Sequence, residues 1–173
     1  MKKIILLSVL FFGFTTIKAQ ENIVKASVVF GNAGIQYERS LSQHFSLAAQ
    51  AGYGFTFIST PVEENELTTG LAYSIEGRYY FSSSKDKLTG WHIGPSVNFI
   101  DTKGKNDYKY NTKIYGVTGG NQWIFDSKFT LEFVVSVGYR TVDSPDVNLN
   151  LNTTYKKDFD IMPSAGVSFG YAF

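Results

Sequence analysis

The chain has 173 residues, of which 43% are hydrophobic, 16% aromatic and 18% charged, and its formal net charge is +1. This length fits one domain, and the composition is typical of a chain that folds and buries apolar surface. A near-neutral charge, with no long run of Lys or Arg, argues against a nucleic-acid partner. The absence of cysteine excludes a disulfide framework, a thiolate metal site and a cysteine nucleophile.

The first nineteen residues have the pattern of a secretory signal peptide. Lys2 and Lys3 precede an apolar stretch over residues 4–14. This stretch is shorter than the roughly 20 residues that a membrane-spanning helix needs. A small-residue cleavage site ends at Ala19. We therefore expect residues 1–19 to be removed and residues 20–173 to form one exported domain.

The rest of the chain shows two-residue alternation of apolar with small or polar side chains, which indicates β-strands rather than helices. Gly119 and Gly120 fall within the sixth of these segments, where glycine suggests a bulge or bend. The pattern predicts eight strands, over residues 24–30, 33–41, 45–57, 71–81, 91–99, 113–123, 129–141 and 159–173.

The connections between the predicted strands alternate in length. Residues 42–44, 82–89 and 126–128 form shorter connections, and residues 58–69, 102–112 and 142–157 form longer polar ones. Short turns at one end and long loops at the other are typical of outer-membrane barrels. The sequence therefore predicts an all-β fold, an eight-stranded antiparallel up-and-down transmembrane β-barrel.

Alternation alone does not say whether the apolar face points inward or outward. An apolar interior would give a secreted lipocalin-like cup for a small apolar ligand. The opposite face, however, carries mostly Gly, Ser, Ala, Thr, Gln and Asn, which suit the narrow interior of an eight-stranded barrel. Because ions shielded from water must be paired, we expect the charged residues of this face to form a lumen ion-pair network. Its members are Lys25, Glu38, Glu76, Arg78, Glu132 and Arg140.

Aromatic residues cluster near the predicted strand ends, as the interfacial girdles of a membrane barrel require. The expected girdle residues are Phe55, Phe57, Tyr79, Tyr80, Phe81, Trp91, Phe99, Tyr115, Trp123, Phe125, Phe129, Tyr139 and Tyr171.

The chain resembles the small eight-stranded outer-membrane barrels of the OmpA/OmpX kind, and more closely the outer membrane beta-barrel families of Bacteroidota. Two segments carry the resemblance: residues 34–39 (GIQYER) followed by Phe45-Ser46-Leu47, and the C-terminal residues 167–173 (VSFGYAF). In these families the barrel-assembly machinery recognises the last strand. The resemblance implies that Phe169, Tyr171 and Phe173 form this assembly signal.

Some barrels of this size are lipid A-modifying enzymes, and a catalytic role would have to rest on the few candidate residues of this chain. Such chemistry needs a nucleophile with an activating base, and His44-Phe45-Ser46 superficially resembles a His-x-Ser pair. In the predicted topology, however, His44 and His92 both lie near the periplasmic rim, away from lipid A in the outer leaflet. Two separate histidines do not make a metal site, and no glycine-rich phosphate loop opens a helix.

The sequence therefore predicts a non-enzymatic outer-membrane protein with no cofactor and no catalytic or metal site. We expect it to be a monomer that contacts outer-membrane lipid. Its expected role is a structural scaffold whose long loops are a candidate adhesion or binding surface for an unidentified ligand. The alternatives are the secreted lipocalin-like barrel and the lipid A-modifying enzyme.

Overall fold

A computed structural model describes residues 22–29, 31–58, 66–81, 87–103, 109–143 and 160–173. The predicted signal peptide and the outer parts of the long connections lie outside the described residues. Eight strands form one closed barrel in which each strand pairs antiparallel with its neighbours in sequence, and β8 closes against β1. The strands are β1 (Asn22–Val29), β2 (Asn32–Ser40), β3 (Phe45–Ile58), β4 (Glu66–Tyr80), β5 (Gly90–Lys103), β6 (Lys109–Ile124), β7 (Phe129–Asp143) and β8 (Asp160–Ala172).

The pairing register sets the tilt of the strands. Following paired residues from Lys25 on β1 through every strand reaches Asp160 on β8. The partner of Lys25 on β8 is instead Gly170, ten residues further along. With ordinary strand spacings, this stagger gives a tilt of about 40° to the barrel axis. Residues far apart along their strands therefore reach the same height in the barrel.

The polar face of the strands lies inside the barrel and the apolar face lies outside. Along β1, Lys25 and Ser27 are buried, whereas Val24 and Val28 are 41% and 56% exposed. The same alternation holds along β5, where His92 is buried and Trp91 is exposed. The predicted orientation is therefore observed, and the polar interior does not fit the apolar cup of the lipocalin-like alternative.

The barrel end that carries the short turns is closed by apolar side chains. Ile23, Tyr80, Leu88 and Ala172 form a buried cluster there, with Ile124 packed against it. Leu88 comes from the connection between β4 and β5, and its backbone φ is 64°. A positive φ is unfavourable for a leucine, and burial of its side chain offsets that cost. We call this group the apolar plug.

Two predictions about the strands need correction. The pairing of β6 with β5 and β7 runs without interruption through Gly119 and Gly120, so the expected bulge is absent. Strands β4, β5 and β6 also extend beyond the predicted limits at the long-loop end. Their extensions place Thr68, Thr102 and Thr112 in the interior. Apolar alternation missed them because these polar residues continue the backbone pairing without the apolar pattern.

Candidate functional site in the barrel interior

A buried ionic cluster lies directly above the apolar plug, and Lys25 is at its centre. The Lys25 Nζ donates to Glu38 Oε2 at 2.8 Å, to Gln122 Oε1 at 2.7 Å and to Glu132 Oε2 at 2.7 Å. An ammonium group has three protons, so all of its donors are satisfied. The side chain reaches these partners because β1 lies between β2 and β8, and the lumen is narrow enough to cross.

Glu38 accepts four hydrogen bonds, which is the capacity of a carboxylate. Its Oε1 accepts hydrogen bonds from Ser46 Oγ at 2.6 Å and from the Tyr80 hydroxyl at 2.7 Å. Its Oε2 accepts hydrogen bonds from Lys25 Nζ and from Arg78 Nη1, each at 2.8 Å. A fully buried carboxylate is tolerated only with this kind of pairing and hydrogen bonding.

Arg78 joins all three carboxylates of the cluster. Its Nη1 lies 2.8 Å from Glu38 Oε2 and 2.7 Å from Glu132 Oε1, and its Nη2 lies 2.9 Å from Glu76 Oε2. His92 Nε2 contacts the same Glu132 Oε1 at 2.9 Å. The fixed fork of a guanidinium suits such multiple pairing better than a single ammonium would.

The structure brings together five of the six residues predicted for the lumen network: Lys25, Glu38, Glu76, Arg78 and Glu132. Arg140 is the exception. It lies on the same face of β7 as Glu132, is half-buried and pairs in register with Asp160. Eight residues along a strand correspond to about 27 Å, so Arg140 cannot reach the cluster. Arg140 therefore lies outside this cluster, because the sequence pattern predicts the face of a residue but not its height in the barrel.

Sequence reasoning missed four polar members of the cluster, namely Ser46, Tyr80, His92 and Gln122. Tyr80 was expected in the outer girdle but is 1% exposed and points inward. Gln122 donates to the Tyr80 hydroxyl and to the Leu88 carbonyl, which ties the cluster to the apolar plug. His92 was predicted near the rim at the short-turn end; it is the third residue of β5, and its side chain is buried in the interior. The sequence did contain a signal for Tyr80: it follows the outward Tyr79 in the same strand, so its side chain has to point inward.

Gly120 makes room for His92 to reach Glu132. A Cβ built at Gly120 would overlap the Phe133 carbonyl oxygen and lie 3.0 Å from both His92 Nε2 and Val134 Cγ1. At the neighbouring Gly119, which faces outward, the nearest atom would be the His92 carbonyl oxygen at 3.5 Å. The Gly119-Gly120 pair therefore reflects a close approach at one position rather than a bulge.

The residues of the His-x-Ser motif have separate partners. His44 Nδ1 lies 3.1 Å from the Tyr80 carbonyl oxygen, at the turn between β2 and β3. The Ser46 hydroxyl is buried and donates to Glu38. His44 is thus engaged at the rim, and Ser46 belongs to the ionic cluster.

The predicted assembly signal lies on the closing strand of the barrel. Phe169 and Tyr171 are 48% and 53% exposed on the outer face of β8. Phe173 is half-buried, and its backbone exchanges hydrogen bonds with Asn22 at 2.9 and 3.2 Å. These three residues thus lie beside the seam between the first and last strands.

A cavity of about 60 Å³, lined by both polar and apolar side chains, lies above the cluster, on the side of the long loops. Its walls carry serine, threonine, asparagine and glutamine side chains together with valine, isoleucine and methionine, and Glu76 and Arg78 lie at its floor. Among the described residues, no helix is long and apolar enough to cross a bilayer. Within the same ranges, no group of three or more His, Cys, Asp or Glu side chains is arranged to hold a metal ion.

Fold and interior together define a small closed antiparallel β-barrel whose polar lumen is filled by a buried ionic cluster. Residues 4–173 match the family DUF3575, which is described as a protein of unknown function. The chain belongs to this family. No curated protein and no solved structure matches the chain.

Proposed function

We propose that this protein is a non-enzymatic β-barrel of the bacterial outer membrane, with a scaffold role in the envelope. The main support for this proposal is the apolar outer face of the barrel, since an exposed apolar surface of this size would be unusual on a water-soluble monomer. Large exposed side chains occur on all eight strands, for example Ile35 at 59%, Leu71 at 66% and Val135 at 65%.

Two belts of outward aromatic residues border this face. The belt at the short-turn end contains Phe45, Tyr79, Phe81, Trp91, Trp123, Phe125, Phe129 and Tyr171, and the other belt contains Tyr53, Tyr73, Phe99, Tyr115 and Tyr139. Along β7, Phe129 and Tyr139 are ten residues apart, which for tilted strands gives about 26 Å along the barrel axis. The apolar band of outer-membrane barrels is about 25 Å tall.

Charged side chains on the outer face support the same placement. Arg39 lies at the level of the belt at the short-turn end. Asp101, Lys103 and Lys113 lie beyond the belt at the long-loop end. Among the described outward positions between the belts, none is charged. A lipid-facing band would exclude charge in this way, whereas a water-facing surface would not.

The proposed role follows from the closed lumen. A barrel filled by the apolar plug and the ionic cluster anchors its long loops without opening a wide pore. Those loops are the proposed binding or adhesion surface. The protein acts as a monomer in outer-membrane lipid, and the barrel-assembly machinery inserts it through Phe169, Tyr171 and Phe173.

Cell fractionation tests the location. We expect the mature protein to require detergent for extraction from outer membranes and to migrate differently on gels before and after boiling. Recovery as a soluble periplasmic species without detergent would contradict the proposal and favour a soluble barrel.

A variant of the last residue tests the assembly signal. Phe173→Ala should lower the assembled fraction in cells while leaving refolding in detergent intact. Assembly equal to that of the wild type would contradict the proposed role of Phe173 in the signal.

The non-enzymatic part of the proposal has its own test. A deletion strain should retain its lipid A acylation pattern, as should strains carrying His44→Ala or His92→Ala at normal protein level. Altered acylation on deletion, restored by wild type and by neither variant, would instead support the lipid A-modifying alternative.

A further inference from the structure

The cavity above the ionic cluster has unsatisfied polar atoms around it. Gln36 Oε1, Gln50 Nε2, Asn32 Oδ1, Glu76 Oε1 and Arg78 Nε are buried and have no hydrogen-bond partner within the protein. All five side chains line the cavity, and each residue is at most 7% exposed. Buried polar groups normally find partners, so these atoms indicate an occupant.

The chemistry of these atoms restricts the occupant. Glu76 Oε1 requires a donor, and Arg78 Nε requires an acceptor. A bare cation would satisfy only the first, and an anion only the second. An anion would also meet a floor where Glu38, Glu76 and Glu132 outnumber the two permanent cations, Lys25 and Arg78. Hydroxyl groups both donate and accept, so a neutral, hydroxyl-rich group fits best.

The walls favour the same class of ligand. Ser27, Ser74, Ser96 and Ser136 contribute hydroxyls, while Ile100, Ile114 and Met162 supply apolar contact toward the long-loop end. Mixed walls of this kind suit a carbon chain that carries several hydroxyls. The cavity has room for about four water molecules, or for one compact molecule of about six non-hydrogen atoms.

The barrel wall is lowest beside this cavity. Strands β1 and β2 have only 8 and 9 residues, compared with 13 to 16 in the others. On β8, the pairing with β1 starts at Gly166, whereas the pairing with β7 starts at Asp160. Met162 and Ser164 of this unpaired stretch line the cavity, as do Val29 and Asn32 at the tip of the β1–β2 hairpin. By the strand geometry, this tip lies level with the aromatic belt of the long-loop end.

We propose that the cavity is a binding site for a glycerol-like polyol group, which reaches it over the short β1–β2 hairpin. The group belongs either to a free solute or to the headgroup of a neutral lipid, since the low wall faces the level where headgroups would lie. The headgroup source rests on the proposed membrane location, whereas binding of the free solute does not.

The first experiment uses free glycerol with the folded protein in detergent micelles. We expect the side-chain amide signals of Asn32, Gln36 and Gln50 in NMR spectra to shift in a saturable way. Two control compounds should cause no saturable shift. Ethylene glycol dimethyl ether accepts hydrogen bonds but donates none, and tetramethylammonium neither donates nor accepts them. Saturable shifts with the ether equal to those with glycerol would mean that the cavity does not recognise hydroxyl groups and would overturn the proposal.

Two variants and a matched control locate the site. Ser74→Leu fills the cavity and should abolish saturation. Ala51→Leu adds bulk to the outward face of the adjacent strand and should leave it unchanged. Gln50→Met is the second cavity variant, for use if Ser74→Leu fails to fold. It nearly keeps the side-chain volume and should weaken binding about fivefold, which is the effect of losing one hydrogen bond. Unchanged binding in a folded cavity variant would overturn the site.

A lipid arm distinguishes the two sources. The same signals are followed in phosphatidylcholine nanodiscs with and without monoolein, whose headgroup is glycerol. Saturable shifts with monoolein identify a lipid headgroup, and shifts with free glycerol alone identify a solute. No saturable shift in either arm would overturn the proposal, whatever fractionation shows about location.

Discussion

At the scale of single residues, burial makes the ionic cluster costly to break. Glu132 contacts Lys25, Arg78 and His92 within 2.9 Å and is fully buried. Glu132→Ala removes one of the carboxylates that balance the buried charges of Lys25 and Arg78, and should lower the free energy of unfolding by about 3 kcal/mol. Arg140→Ala, on the same face of β7 but half-buried and outside the cluster, should cost clearly less. Urea unfolding in lipid vesicles measures both, and equal losses would contradict the assignment.

The paired glycines allow a sharper test at the same scale. Gly120→Ala forces a Cβ against the Phe133 carbonyl and His92, and should destabilise the barrel by about 1–3 kcal/mol. Gly119→Ala meets only ordinary contacts and should stay within about 0.5 kcal/mol of the wild type. The difference between the two unfolding free energies is the readout. If both variants behave alike, close packing at His92 does not explain Gly120.

At the scale of strands, the two faces differ in what they tolerate. Val135 lies outward on β7, about midway between the aromatic belts, and is 65% exposed. In a lipid bilayer, Val135→Arg should destabilise the barrel by about 2–4 kcal/mol, since the charge sits near the midplane. Asn111→Arg, outward on β6 and beyond the belts, should change stability little. Unfolding in phospholipid vesicles compares the two variants; a tolerated Val135→Arg would contradict a lipid-facing band.

At the scale of the whole molecule, the filled lumen predicts low conductance. The apolar plug closes the short-turn end, and the cluster above it holds Lys25, Glu38 and Arg78 in mutual contact. Planar-bilayer recordings of the folded protein should therefore show no stable, large channel. A reproducible porin-like conductance would contradict this filled lumen.

Sequence alone determined which side chains share a face of each strand. Alternation identified eight strands, the alternating connection lengths indicated up-and-down topology, and parity placed Lys25, Glu38, Glu76, Arg78 and Glu132 inside. These are local properties, because successive side chains of a strand point to opposite sides whatever its neighbours are. The same reasoning could have placed Tyr80 inside, since Tyr79 beside it is outward; the aromatic pattern concealed this.

Only the tertiary structure decided which inward residues meet. Parity fixes a face but not a height, and height depends on the register of all eight pairings and on the ten-residue stagger between β8 and β1. That stagger brings Lys25, Arg78 and Glu132 to one level and leaves Arg140 far above them. It also brings His92 to Glu132 across Gly120, and Leu88 beneath Gln122. Such contacts join residues 34 to 107 positions apart, so no local pattern could have shown them.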